Sequence, residues 1–213
     1  MRQNPLLLAL LSVLVLISFA SQNSCFAKMN PEAYANWYRA NISQFEKVAI
    51  QNGIQYTLTY VPLEIQLINY SNKKKMTKLE VGEFVKTFEE SYDFRLTITS
   101  LENDNSEFLK TIGSNGITYE ERVKYYSFGL QQDIKMIFED HENVSIDYLF
   151  ERSFDINPKG HIQFSFAKEE LPKNIKIAIN DLGFYENLIE FNFLKIAFEN
   201  RPKLKYSKIW KRK

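Results

Sequence analysis

The sequence predicts a mainly β protein of the α+β type, an antiparallel, sandwich-like sheet with short helices in the N-terminal third. Three observations predict it. Apolar and polar residues alternate in many short runs, turn-forming clusters separate those runs, and helical spacing replaces alternation only near the front of the chain.

Residues 1–27 read as an export signal: Arg2 beside the amino terminus, an apolar run Leu6–Ala20 interrupted by Ser12 and Ser18, then Ser21-Gln22-Asn23-Ser24. The run is short for a bilayer-spanning helix, which needs roughly 20 apolar residues. Cleavage after Ala20 and cleavage after Ala27 both leave small residues at the positions that require them. Cys25 is the only cysteine, so no internal disulfide forms and packing must hold the fold. It is either discarded with the leader or becomes the acylated first residue of a lipoprotein; the preceding Gln22-Asn23-Ser24 is a poor context for the latter.

Within 28–213, expected to be a single β-rich domain, Asn30 and Pro31 start a helix with Tyr34, Trp37 and Tyr38 on one face. Asn52-Gly53 suits a tight hairpin turn between Val48/Ile50 and the alternating Ile54, Tyr56, Leu58 and Tyr60, which Pro62 ends. From Leu63 to Tyr92 the spacing is helical, and Thr77 with Glu80 forms a capping box. Phe94, Leu96 and Ile98 return to alternation.

The strongest alternation lies between Glu120 and Phe154. Tyr126, Phe128, Leu130, Ile134, Met136 and Phe138 share one parity, and after Glu139–Asn143 the series Val144, Ile146, Tyr148, Phe150 resumes it. The expectation is one antiparallel hairpin with a dry face. Three further runs follow, centred on Phe164, Ile177 and Phe191, giving eight strand candidates and no internal repeat.

Without the leader, 26 basic groups face 26 acidic ones, but seven of the bases fall in the tail 201–213, leaving 28–200 at a net of −7. An acidic body argues against nucleic acid as a partner. The tail, with Lys203, Lys205, Lys208 and Trp210, is a candidate interaction segment for a membrane surface or an acidic envelope protein, against the plainer reading of a solvated terminus.

Catalytic signals are sparse. His141 and His161 are the only histidines, no zinc-ligand set exists, and no cofactor is expected. Asp140-His141-Glu142 reads as a charged turn, because no nucleophile is placed near it. Gly113-Ser114-Asn115-Gly116 lacks the context of a phosphate loop. Arg152 breaks rank, sitting on the apolar parity between Phe150 and Phe154; the expectation is a buried ion pair with an acid of the preceding segment, Glu121 first among Glu120, Glu121 and Asp133, or an arginine at the sheet edge reaching water, against a carboxylate- or sugar-binding site.

Tyr60-Val61-Pro62, Glu121-Arg122 leading into Tyr125-Tyr126-Ser127-Phe128, Phe150-Glu151-Arg152 and Pro202-Lys203-Leu204-Lys205 together resemble a group of small exported bacterial envelope proteins, many of them lipoproteins, with no assigned function. The resemblance implies export, and lipidation at Cys25, but no catalytic residue. The functional expectation is a non-enzymatic binding or assembly role in the envelope. The alternative is a small-molecule or carbohydrate binder or enzyme using exposed aromatics, with Trp37, Tyr125 and Trp210 as the side chains to find in a cleft.

Overall fold

Positive φ at both Asn52 (50°) and Gly53 (75°) turns the chain through the tight hairpin that the dipeptide favours, and the rest of the first sheet grows from that corner. The structure is a computed structural model and describes residues 28–101, 107–110, 116–152, 157–185 and 187–210. The leader with Cys25, the loop residues Gly113–Asn115 and the last three residues lie outside that set.

Helix α1 (Pro31–Ala40) opens with the Asn30 side chain accepting from Ala33 N at 2.8 Å. A short α2 (Ile42–Phe45) leads into the hairpin β1 (Glu46–Gln51) and β2 (Ile54–Tyr60), followed by α3 (Leu63–Lys73) and α4 (Lys78–Phe88). The Thr77–Glu80 capping box forms in both directions. Strand β3 (Ser91–Ser100) follows, and after a 3-10 turn at Phe108–Lys110 comes α5 (Tyr119–Lys124). The second half holds β4 (Ile134–Ile137), β5 (Glu142–Val144), β6 (Asp147–Glu151), β7 (Gly160–Ala167), β8 (Asn174–Asp181), β9 (Asn187–Leu194), α6 (Ile196–Glu199) and α7 (Ser207–Trp210).

The strands form two antiparallel sheets, ordered β1-β2-β3-β7-β6 and β5-β4-β8-β9. Period-two burial places Tyr56, Leu58, Phe94, Leu96, Ile162 and Phe164 on the inner side of the first sheet and Ile175, Ile177, Phe191 and Phe193 on that of the second. The inner faces meet: the Phe94 ring lies 5.9 Å from Phe193, and the Tyr56 hydroxyl donates to Asp181 across the gap at 2.7 Å. A buried phenylalanine here contributes about 1.5–3 kcal/mol. The α+β class therefore holds.

The long central hairpin does not form. Residues Tyr119–Asp133 are helical, as α5, one π turn (Tyr125–Gly129) and a 3-10 turn (Leu130–Asp133), and only Ile134–Ile137 is strand. Phe128, on the supposedly dry parity, is 78% exposed. A period of two contains every fourth residue, so Arg122, Tyr126 and Leu130, all buried, satisfy a helix as well as a strand. The capping box of Thr118 and Glu121 settles the matter for the helix. The second half splits too. β5 pairs with β4, whereas β6 crosses into the other sheet beside β7, and Ser145 is buried at the crossing while Val144 and Ile146 are exposed.

The two ends of the described chain are fastened together. Met29 N donates to Lys203 O (2.8 Å) and Lys205 N donates to Met29 O (2.7 Å), an isolated parallel bridge opposite Leu204.

Candidate functional site

β1 and β9 are edge strands of different sheets that lie side by side without ladder pairing. Their seam is flanked by α1 and α6 and opens into a cleft of about 600 Å³, within the range of small-ligand sites. Helical spacing from Pro31 turns Tyr34 and Tyr38 into the core and leaves Trp37 half-buried at the cleft wall, edge-on to Phe45 at 5.8 Å.

Asn41 ends the helix, its amide donating to Trp37 O at 2.8 Å, and Gln44 donates to the Asn41 side-chain oxygen at 3.2 Å. Lys47 donates to Ser43 O (3.0 Å) and sits over the Phe193 ring, so the cleft's one cation is engaged. From the opposite wall β9 contributes Asn192 and Leu194, and α6 contributes Ile196 and Ala197 with Asn200 at its end. The side-chain amides of Asn192 and Asn200 have no partner among the described residues. Each can offer two N–H donors and an acceptor to a ligand. The lining holds no carboxylate, histidine or cysteine. Beside Lys47 it combines an indole, four amides and an apolar floor, a chemistry suited to binding through stacking and hydrogen bonds.

Arg152 does pair, with a different acid. Its guanidinium donates to the Tyr119 hydroxyl and stands 3.5 Å from Glu107, which is 1% exposed while Arg152 is 29% exposed. Glu121, the expected partner, is spent on the Thr118 cap, and its carboxyl is held below the usual range by those bonds. The pair thus joins a buried carboxylate to a partly exposed guanidinium, with Glu107 in place of Glu121.

Two buried polar centres had no place in the sequence reading. Arg122 donates to Leu109 O (2.8 Å), Ile117 O (3.0 Å) and Gly183 O (3.1 Å), with its guanidinium over the Phe184 ring. Asp181, 1% exposed, accepts from the Tyr56 and Tyr126 hydroxyls and from Gly183 N at 2.7–2.8 Å. Burial pushes its carboxyl above the ordinary range, partly offset by the tyrosine bonds. A signal existed: Asp181 continues the apolar parity of Ile175, Ile177 and Ile179, the same kind of break that drew attention to Arg152.

Of the other aromatics, Tyr125 is committed to Asp133 (2.9 Å) and Asn180 O (3.0 Å), and Trp210 packs partly against the core. In the tail Leu204 and Ile209 are buried, while Lys203, Lys205 and Lys208 face solvent. His161 contacts Thr97, and burial lowers its pKa.

His141 bridges two carboxylates, Asp140 at Nδ1 (2.6 Å) and Glu169 at Nε2 (3.1 Å), and stacks on Phe138. Both nitrogens face acceptors, which only an imidazolium can satisfy. The Asp140 and Glu169 bonds raise its pKa; His141 in turn lowers that of Asp140, and Asn143 first and His141 second lower that of Glu169. The raised group contributes stability fully below the ordinary imidazole pKa and loses it as pH rises through the folded value; the lowered carboxylates contribute above the ordinary carboxylate range. The cluster should therefore tie the β4–β5 turn to the loop after β7 most firmly between those limits. An NMR titration of His141 should give a raised pKa that returns to the ordinary value in Asp140→Asn/Glu169→Gln.

No protein-family model, no curated protein and no solved structure matches this chain.

Proposed function

We propose that this chain is an exported, non-enzymatic binding protein that holds a neutral, polyhydroxylated ligand such as an oligosaccharide in the seam cleft. The observation that carries this reading is Trp37 at the cleft wall opposite the two uncommitted amides of Asn192 and Asn200. An indole gives an apolar face to a sugar ring, and amides match vicinal hydroxyls in both donor and acceptor roles.

A panel of neutral and charged oligosaccharides, read by tryptophan fluorescence, tests it. Neutral glycans should bind, and Trp37→Ala should weaken binding roughly thirtyfold, the scale of an interface hot spot at about 2 kcal/mol. Asn192→Ala, which removes no core contact, should weaken it severalfold at unchanged melting temperature. Absence of saturable binding across the panel removes the reading. Export is supported by the leader's pattern and is tested by the intact mass of the protein from its host: a start at Cys25 with added acyl mass means a lipoprotein, and a start at Ser21 or Lys28 a free exported protein.

A further inference from the structure

We propose that the pole where residue 29 meets the C-terminal tail docks on an anionic phospholipid surface. The clasp between Met29 and Lys203/Lys205 fixes this pole, because two backbone bonds hold the first described strand-like residues against the last. Burial of Pro202, Leu204 and Ile209 pins the tail down, so the lysines between them are forced outward.

Lys28, Lys203, Lys205 and Lys208 are all exposed there. No acid occurs anywhere in 201–213. The only other described base of the tail, Arg201, faces inward, 3.7 Å from Glu64 and against the Tyr60 ring. α7 packs on α4, which carries exposed Lys78, Leu79 and Lys86 along with Glu83; its other acid, Glu80, is paired with Lys74 at 2.8 Å. Half-buried Tyr206 and Trp210 border the lysines, the residue types that favour a membrane–water boundary.

What stands upstream of the clasp selects lipid as the occupant. The apolar run Leu6–Ala20 and Cys25 precede it directly, and four residues from Cys25 to Met29 span at most about 14 Å. An acyl anchor at Cys25 keeps the lysines within about 14 Å of the surface, on the order of the 8–10 Å Debye length over which its charge acts. One acyl chain alone anchors marginally, and a polybasic patch supplies the second signal.

The test uses full-length protein carrying Cys25→Ser, so that no acyl chain contributes, and sedimentation with phosphatidylcholine vesicles with or without phosphatidylglycerol. Binding is expected only with phosphatidylglycerol, and Lys203→Gln/Lys205→Gln/Lys208→Gln should weaken it on the order of a hundredfold. Lys124→Gln/Lys159→Gln/Lys173→Gln, equally exposed lysines elsewhere, should leave it within a few-fold. Equal losses in both triples overturn the pole, as nonspecific charge then suffices. Lack of any phosphatidylglycerol dependence overturns lipid and leaves an acidic protein as the partner. Melting temperatures of both triples should match the parent, which separates docking from folding.

Discussion

Arg122→Ala is expected to lower the unfolding free energy by about 3–5 kcal/mol, the cost of leaving three carbonyls without the donor that joins them. The guanidinium is the only described group that gathers Leu109 O, Ile117 O and Gly183 O, from three separate segments, and it covers the Phe184 ring. Without it three carbonyls near the core face a void, at roughly 1–3 kcal/mol for each that water fails to reach. A domain of this size loses about 2–4 °C per kcal/mol, so a melt should shift by about 10 °C. Arg122→Lys should recover little, because an ammonium cannot reproduce a planar fork aimed at three acceptors. A melting temperature unchanged by Arg122→Ala would mean that the three segments hold without it.

Asp181→Ala should cost on the order of 3 kcal/mol. It strands the Tyr56 and Tyr126 hydroxyls and Gly183 N without their acceptor. Tyr126→Phe removes one donor and should cost about 1 kcal/mol. The double variant should be less destabilised than the sum of the two, because both changes break the same bonds. Strict additivity in urea unfolding would show that the carboxylate and the Tyr126 phenol do not act as one unit. Since burial raises the Asp181 pKa, its protonated form suits the fold better; its own contribution is largest below the ordinary carboxylate pKa and declines as pH rises through the folded value.

What the sequence made legible was local. Asn52-Gly53, the Thr77–Glu80 box and the alternation of β2, β3, β7, β8 and β9 each depend on residues within a few positions of one another, and each appears as expected. The stretch from Tyr126 to Asp133 failed because its apolar spacing fits two periods at once, and the deciding residues, Thr118 and Glu121, lay upstream of the alternation. Arg152 was identifiable as an anomaly, but its partner Glu107 lies far off in sequence in a polar stretch with no pattern to mark it. The cleft was half visible. Trp37 stood out by residue type, whereas Asn192 and Asn200 became its neighbours only when the strand order set β9 beside β1.

The Met29–Leu204 clasp also bears on the order of assembly. It closes a loop of about 175 residues, so it has the longest reach of any backbone pairing among the described residues. Loop-closure entropy grows only as the logarithm of that length, so the loop is cheap to close once the sheets already hold its ends together, but slow to find beforehand. A chain delivered N-terminus first holds residue 29 unpaired until residue 204 has emerged. The clasp therefore closes late, after the two sheets have brought residues 29 and 204 together.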